Sequence, residues 1–276
     1  MNLIQDFWTQ NVCVRRNAEQ LDSRYTKFQA GPTGIMVHST AAPGRMAKAF
    51  RDSWDIASGS DGKVFEKAVA AFLDNTEIRQ CMPFNYRGYH AGGTANDSYI
   101  GFEICEPPGF KYGGGATMVG YDPEAQQPYF DAVYTQTAQL CAFLCKTFNI
   151  KPEYPNLICH SEGCTLGIAS NHADVMHWWP KHGKSMDTLR ADVAALLAGK
   201  EENEDMTDAQ FAEFMGRYIS GLRADKTAPS WLSPDVIQNA KNAGVITGDA
   251  SGNLQLNGLV TRAEVIAMTS HYQLKG

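Results

Sequence analysis

The sequence has few of the features that mark a nucleic-acid-binding, membrane-spanning or secreted protein. Its 24 basic residues are outnumbered by 30 acidic ones and form no run, so the clustered Lys and Arg that neutralise phosphates are missing and nucleic acid is excluded as a partner. No stretch approaches the roughly 20 apolar residues that a membrane span needs. The amino terminus has no basic segment followed by an apolar core, which predicts synthesis in the cytoplasm without a secretory signal. Action outside the cell would then require another route of release.

Cysteine is present, but its pattern does not suit a disulfide framework. The seven cysteines are odd in number and scattered through apolar segments, which is typical of reduced, buried thiols. No CxxC pair occurs, so a thiolate zinc finger is not expected. Cys141 and Cys145 lie one turn apart on a predicted amphipathic helix, where core packing is the simpler interpretation.

Strand-like and helix-like segments alternate over the first 200 residues, which predicts an α/β layered fold. The segments with a clear period are strands at Ile35–His38, Ile100–Cys105 and Leu157–Cys159, and helices at Tyr129–Phe148 and Met186–Leu197. Val64–Leu73 mixes both periods and is left unassigned. Together they predict one domain over residues 1–198.

The composition changes at the acidic stretch Ala198–Asp205, and we predict a linker over residues 199–207. The remaining residues, 208–276, predict a small all-α domain. Its helices are expected over 208–222 and 235–243, with a third that begins at the cap Thr261. About 70 residues make a marginal core, so the tail is expected to lean on a partner or on its own copies.

Two histidines and an aspartate stand out because of their positions beside apolar runs. His38 and His160 each close a short buried strand, and Asp174 follows fourteen residues after the second histidine. Two imidazoles and a carboxylate with an open fourth position form a catalytic zinc set. A lone histidine at a strand end is more often a core residue, so the prediction depends on whether the three side chains meet.

His172 lies two residues before Asp174 and competes with it as the third ligand. If Asp174 binds the metal, His172 is free to donate to the oxyanion of an attacked carbonyl. The spacing leaves this choice open.

Glu103 is a charged residue in the middle of an alternating apolar strand, on the face opposite Phe102 and Ile104. It is either part of a solvated strand face or a general base that takes a proton from a metal-activated water. His90 lies in the glycine-rich segment Gly88–Gly93, of a kind that approaches a substrate closely. Trp178 belongs to an aromatic pair that forms either core or the wall of an extended ligand site.

These residues occur within an ordered set of motifs. The matching segments are Met36–Thr40, Tyr89–Gly93, Ser98–Ile104, Ile158–Gly163 and Gly167–Asp174. Over about residues 30–195 the chain resembles the zinc-dependent N-acetylmuramoyl-L-alanine amidase family, whose fold is shared with peptidoglycan recognition proteins and many phage endolysins. The resemblance implies a mixed central sheet flanked by helices.

The resemblance also implies roles for individual residues. It implies Zn²⁺ as the cofactor, His38, His160 and Asp174 as its ligands, and Glu103 as the catalytic acid/base. Many members carry a Lys that stabilises the oxyanion where this chain has His172, so we expect His172 to take that role. We further predict substrate contacts from Ser39, Thr40, His90 and Trp178.

The activity implied by the resemblance is hydrolysis of the amide bond between N-acetylmuramic acid and the L-alanine of the stem peptide in bacterial peptidoglycan. Glu103 would take a proton from the attacking water and return it to the L-alanine nitrogen. Without a secretory signal, a phage or prophage endolysin that acts at the cell wall after release fits better than a secreted autolysin. The alternatives are a non-catalytic peptidoglycan-binding module and a zinc peptidase that cleaves the stem peptide.

The tail carries a second resemblance. Trp231–Asp235, Ala240–Asp249 and Val260–Val265 resemble a single S-layer homology repeat, which implies a secondary cell-wall polymer as ligand. Such repeats usually occur in threes, so one copy suggests self-association into a homo-oligomer. A helical dimerisation unit without affinity for the wall is the alternative.

Overall fold

The short apolar runs of the sequence form the central strands of a mixed sheet. The computed structural model describes residues 1–29, 31–202 and 234–242. Its strands are β1 (Leu3–Gln5), β2 (Gly34–Ser39), β3 (Ala71–Leu73), β4 (Ile78–Gln80), β5 (Tyr99–Ile104), β6 (Lys111–Tyr112), β7 (Met118–Val119) and β8 (Leu157–Cys159). Its helices are α1 (Val12–Ala18), α2 (Ser23–Gln29), α3 (Ala47–Trp54), α4 (Gln127–Phe148), α5 (His160–Thr165), α6 (Met186–Glu202) and α7 (Pro234–Asn242). The chain divides into one unit of Met1–Glu202 and a second of Asn203–Gly276.

Six strands form the main sheet in the order β1-β4-β3-β5-β2-β8. The β3–β4 pair is antiparallel and the other neighbours are parallel, so the predicted mixed sheet is confirmed. All six residues of β2 are buried, because strands lie on both sides of it and both faces are covered. A strand in that position reads as a continuous apolar run instead of an alternating one.

Helix α4 follows the predicted apolar spacing and supplies much of the core. Phe130, Leu140 and Leu144 are almost fully buried on its inner face. Pro128 lies in the first turn, where a missing N–H costs nothing. The helix ends at Asn149, which adopts the left-handed conformation (φ 54°) typical of a C-terminal cap. The predicted end of this helix is confirmed.

Helix α6 packs against α4 and continues further than the sequence indicated. It was expected to end at Leu197, but it runs to Glu202 and thus includes the first residues of the predicted linker. The reason is that Lys and Glu are good helix formers. The acidic stretch therefore begins as helix.

Several short elements carry too little periodicity to be predicted. Strands β1, β4, β6 and β7 have only two or three residues each. The unassigned segment Val64–Leu73 is extended: Val64 and Ala68 form isolated bridges before the segment ends in β3. Its last six residues, Ala68–Leu73, are wholly buried, which removes the alternation that marks a half-exposed strand.

All seven cysteines are free, and only Cys164 is partly exposed, as their apolar context predicted. Within the ranges given above, no helix is long and apolar enough to cross a membrane.

Of the second unit, the structure describes helix α7, which agrees with the helix predicted over 235–243 to within one residue at each end. The expected helix over 208–222, the helix capped by Thr261 and most of the S-layer-like segments lie outside the described residues.

Candidate active site

The candidate site forms where three parallel strands end at one edge of the sheet. β2 pairs with β5 so that His38 lies directly opposite Glu103, and paired residues in this register project from the same face. On the other side, β2 pairs with β8 up to the Val37–Cys159 pair. His160 follows Cys159 immediately as the first residue of α5. The sheet therefore fixes His38, Glu103 and His160 next to one another.

The ligand atoms of His38, His160 and Asp174 converge on one point. The Nδ1 atoms of the two histidines are 3.0 Å apart. Asp174 Oδ2 lies 3.3 Å from His38 Nδ1 and 3.6 Å from His160 Nδ1. Ligands about 2.1 Å from a tetrahedral zinc ion are about 3.3 Å from each other, so the three atoms fit three corners of such a site. The hypothesis that these residues meet is confirmed.

Asp174, and not His172, completes the trio of ligand atoms. The backbone carbonyl of Asp174 accepts a hydrogen bond from the Ser161 amide (3.4 Å), which ties its loop to the start of α5. His172 lies beside His160, with ring centroids 4.5 Å apart, and its Nδ1 is 3.1 Å from Ser170 Oγ. His172 is exposed and borders the cavity, so it is available to a bound substrate.

The second ring nitrogen of each histidine ligand faces the protein. His38 Nε2 lies 2.8 Å from His90 Nδ1, and His160 Nε2 lies 3.1 Å from Ser170 Oγ. The Ser170 hydroxyl donates in turn to the carbonyl of Ala91 (3.2 Å). Such partners orient a metal-binding imidazole and fix its tautomer. The glycine-rich segment therefore supports both histidines.

His90 lines the cavity, and its contact with substrate stays a prediction, but its ring nitrogens bond within the protein. Its Nδ1 faces His38 and its Nε2 lies 3.1 Å from the backbone carbonyl oxygen of Tyr99. Both ring nitrogens are therefore engaged within the protein, and neither is left for a ligand. Burial, followed by the neighbouring His38, lowers the pKa of His90 well below its usual value.

The electrostatics favour a neutral imidazole at His160. Burial is the main cause that lowers the pKa of His160 to about 4, and the adjacent His38 contributes in the same direction. A neutral imidazole offers the lone pair that a metal ligand requires. At neutral pH His160 is therefore in the form that binds a cation.

Glu103 lies in the same cavity with one carboxylate oxygen that has no partner. Its Oε2 is buried and makes no hydrogen bond among the described residues. Burial raises the pKa of Glu103 well above the usual value, and the negative charges of Asp174 and Glu106 add to the effect. A carboxyl group with a raised pKa next to a metal trio suits proton transfer. The interpretation as a merely solvated strand face is wrong.

The trio opens into a cavity of about 450 Å³, a size usual for small-molecule sites. Ser39 and Thr40 line it, but their hydroxyl oxygens are buried and have no partner in the part of the chain described. Their contact with substrate stays a prediction. Trp54 and Lys67 also line the cavity, and the sequence did not single them out.

Trp178 does not reach this cavity. The side chain is fully buried, it packs edge-on against Phe130 of α4, and its Nε1 donates to the Tyr121 hydroxyl (2.6 Å). The prediction that Trp178 binds substrate is therefore wrong, because the aromatic pair forms core.

Sequence reasoning also missed the residues that hold the site together. Asn96 is buried, and its Oδ1 accepts from the backbone amides of His90 and Ala91 (both 2.9 Å). Ser170 carried no signal beyond its place in the polar segment before Asp174. Both act through tertiary contacts that a linear pattern does not contain.

Comparisons with known proteins find a matching family and a similar fold. The model of the family described as N-acetylmuramoyl-L-alanine amidase matches residues 28–181, more than half of the chain. The N-acetylmuramoyl-L-alanine amidase CwlA of a Bacillus species is 35% identical over 101 residues, which are 34% of this chain and 36% of that protein. The match thus spans little more than a third of this curated relative. The crystal structure of Staphylococcus aureus hydrolase AmiA in complex with its ligand has a TM-score of 0.53 at 17% identity, over 73% of this chain and 86% of that one. This likeness shows a shared fold.

Proposed function

The chain belongs to the N-acetylmuramoyl-L-alanine amidase family, and from that premise we propose that it is a peptidoglycan hydrolase. It cleaves the amide bond between the lactyl group of N-acetylmuramic acid and the L-alanine of the stem peptide. The observation that carries the proposal is the convergence of His38, His160 and Asp174 in the cavity that Glu103 also lines, where Glu103 Oε2 is buried and has no partner among the described residues.

Zn²⁺ is the cation that this set of donors fits. Two imidazole nitrogens and one carboxylate oxygen are donors that zinc prefers, their spacing fits three corners of a tetrahedral site, and all three residues line the cavity. When bound, zinc lowers the pKa of a coordinated water to about 7 and polarises the carbonyl oxygen of a substrate. His38, His160 and Asp174 would hold it.

Glu103 transfers the proton in the proposed reaction. Its carboxylate accepts a proton from the attacking water and returns it to the L-alanine nitrogen as the amide bond breaks. Its position opposite His38, on a strand of the central sheet, supports this role. His172, on the rim of the cavity, donates a hydrogen bond to the oxyanion.

The setting of the reaction is also part of the proposal. We infer that the protein reaches the bacterial cell wall after release from the cytoplasm, as an endolysin does. We further infer that residues 208–276 bind a secondary cell-wall polymer or bring copies of the chain together. The inference about residues 208–276 is supported by the sequence resemblance of the tail to an S-layer homology repeat.

Digestion of purified cell walls tests the proposed activity. The zinc-loaded protein should clear a wall suspension, and a chelator should stop the reaction until zinc is returned. Mass spectrometry should find free stem peptides that begin with an L-alanine amino group. Peptides cut between their own residues would instead identify a zinc peptidase, and walls that bind protein yet stay intact would identify a non-catalytic binding module. Either of these results overturns the proposal.

A further inference from the structure

We propose that His90 is a positioning residue that holds His38 in the tautomer whose Nδ1 lone pair faces the metal position, and that Gly101 is the residue that makes room for it. The inference rests on the proposed metal site, and it gives the glycine-rich segment a role within it. His90 is not one of the three converging ligand residues; it acts through its contact with His38.

The donor and the acceptor in the chain of hydrogen bonds from Tyr99 through His90 to His38 follow from the carbonyl group at its end. The carbonyl oxygen of Tyr99 can only accept, so His90 Nε2, at 3.1 Å, carries the hydrogen. In a neutral ring, Nδ1 of His90 then has a lone pair and accepts from His38 Nε2 at 2.8 Å. With its hydrogen on Nε2, His38 presents a bare Nδ1 to Asp174 and His160. The backbone of β5 thereby determines which nitrogen of a metal ligand is free.

The opposite tautomer would be incompatible with a cation. If Nδ1 of His90 carried a hydrogen, it would donate to His38 Nε2, and the hydrogen of His38 would move to Nδ1. That hydrogen would point at the position where the three ligand atoms converge. Among the described residues, no carboxylate bonds to His90, whose two nitrogens face only an imidazole and a carbonyl.

The position of the His90 ring is set by two glycines. A Cβ atom added to Gly101 would lie 2.4 Å from Cγ of His90, and one added to Gly88 would lie 2.8 Å from its Cδ2. Gly101 is in the middle of β5 and is paired with Met36, where its backbone needs no left-handed conformation. A side chain is therefore missing at Gly101 for reasons of space, since the imidazole ring of His90 rests against its α-carbon.

The backbone around His90 is fixed as well. Asn96 Oδ1 accepts from the amides of His90 and Ala91. The carbonyl oxygen of Ala91 in turn accepts a hydrogen bond from the hydroxyl of Ser170, which is the partner of His160. The glycine-rich segment thus supports His38 through the side chain of His90, and it supports His160 through the carbonyl of Ala91 and the hydroxyl of Ser170. Partners of this kind typically change metal affinity by about 10- to 100-fold when they are removed.

The experiment compares three full-length variants with the wild type. His90→Leu fills the space of the ring but removes the acceptor for His38. His90→Asn keeps an acceptor oxygen near the position of Nδ1. Gly101→Ala leaves both histidines in the sequence but displaces the ring. The zinc dissociation constant is measured by competition with a chromogenic chelator, and thermal unfolding checks that each variant is folded.

The tautomers are read directly in long-range ¹H–¹⁵N spectra of ¹⁵N-histidine-labelled protein without added metal. In the wild type, His38 and His90 should both carry their hydrogen on Nε2. Zinc should bind about 10- to 100-fold more weakly to His90→Leu and Gly101→Ala, and within about threefold of the wild type to His90→Asn.

Two results would overturn the inference. One is a wild-type spectrum in which the hydrogen of His38 is on Nδ1, and the other is unchanged zinc affinity in His90→Leu. A wild type that binds no zinc while His38 shows the expected tautomer would refute the metal site instead. The two failures are therefore distinguishable, and the wild-type spectrum decides the tautomer even if a variant does not fold.

Discussion

Two buried groups of histidine and carboxylate lie in the same unit and differ in how they satisfy their polar atoms. The first is the ligand trio, His38, His160 and Asp174. The second, the tyrosine-bridged cluster, consists of Glu106, Tyr112 and His177. There the Tyr112 hydroxyl donates to Glu106 Oε1 at 2.8 Å and lies 2.7 Å from His177 Nε2, so it can also accept from the imidazole.

The two clusters differ in whether a hydrogen-bond donor lies between the imidazole and the carboxylate. In the tyrosine-bridged cluster, a hydroxyl lies between carboxylate and imidazole and gives one atom of each a complementary partner. The other atoms, Glu106 Oε2 and His177 Nδ1, are buried without a partner among the described residues. In the ligand trio, the second nitrogen of each imidazole is held by the protein, and the remaining acceptor atoms face one another. Acceptors that converge without a donor favour a cation. Both clusters contain imidazole and carboxylate groups. The position of the hydrogen-bond donors distinguishes the candidate metal site from the structural contact.

The largest expected effect comes from removing the anionic member of the trio. Asp174→Ala should abolish stoichiometric zinc binding and lower wall hydrolysis by more than about 1,000-fold, because two imidazoles alone make an incomplete site. Metal content after dialysis and turbidity loss measure the two effects. His172→Ala is the control and should keep its zinc. A zinc-free His172→Ala beside a zinc-loaded Asp174→Ala would reverse the assignment of the third ligand.

The next largest effect separates chemistry from metal binding. Glu103→Gln keeps the size of the side chain but cannot accept the proton, so hydrolysis should fall by about 100- to 10,000-fold. Zinc affinity should stay within a few-fold of the wild type, since Glu103 is not one of the converging ligands. Release of stem peptide, measured by mass spectrometry, tests the rate. Hydrolysis at the wild-type rate would rule out Glu103 as the acid/base.

The tyrosine-bridged cluster should affect stability instead of metal binding. Tyr112→Phe leaves the fully buried Glu106 without its donor, which should cost about 1–3 kcal/mol in the free energy of unfolding. Zinc stoichiometry should not change. Tyr99→Phe is a suitable control, because its hydroxyl bonds to the Pro155 carbonyl at the surface and its loss should cost less. Chemical denaturation of both variants makes the comparison, and loss of zinc from Tyr112→Phe would contradict the contrast between the clusters.

The smallest effect concerns Asp192, a partly exposed carboxylate that has two hydrogen-bond donors. Asp192 accepts from the Tyr134 hydroxyl (2.7 Å) and from Lys184 (3.1 Å), and these contacts, with the hydroxyl first, lower its pKa. A lowered pKa in the folded state stabilises the protein above the unfolded value near about 4, and this contribution disappears as the pH falls through the folded value. Asp192→Asn should therefore be less stable than the wild type by under about 1 kcal/mol at pH 7. The gap should close below about pH 4 in denaturation curves; a gap that widened in acid would contradict the assignment.

The sequence predicted those parts of the fold that have a clear period or a clear terminator. Helix α4 ends at Asn149, as its left-handed cap and the following Pro152 indicate. The central strands β2, β5 and β8 were found because their apolar runs are short and bounded. Val64–Leu73 could not be assigned, since its buried end lacks alternation. Helix α6 was predicted too short, because charged residues that favour a helix resemble a linker in composition.

The candidate site was predicted to a similar extent. The trio and Glu103 were found because polar groups beside buried strands are unusual in a linear pattern. Trp178 was assigned wrongly because an aromatic residue near the site is indistinguishable in sequence from one in the core. His90 was singled out for its glycine-rich surroundings, but its contact was not predicted.

The sequence by itself determined which residues are candidates for the chemistry: two imidazoles, two carboxylates and the strands that bear them. Only the tertiary structure decided which atoms of these residues face one another. The choice of Asp174 over His172, the exclusion of Trp178 and the orientation of His38 toward its metal position all depend on contacts between segments far apart in the chain. Residue type and spacing specify which groups are available, whereas the direction of a lone pair depends on packing such as that of His90 against Gly101.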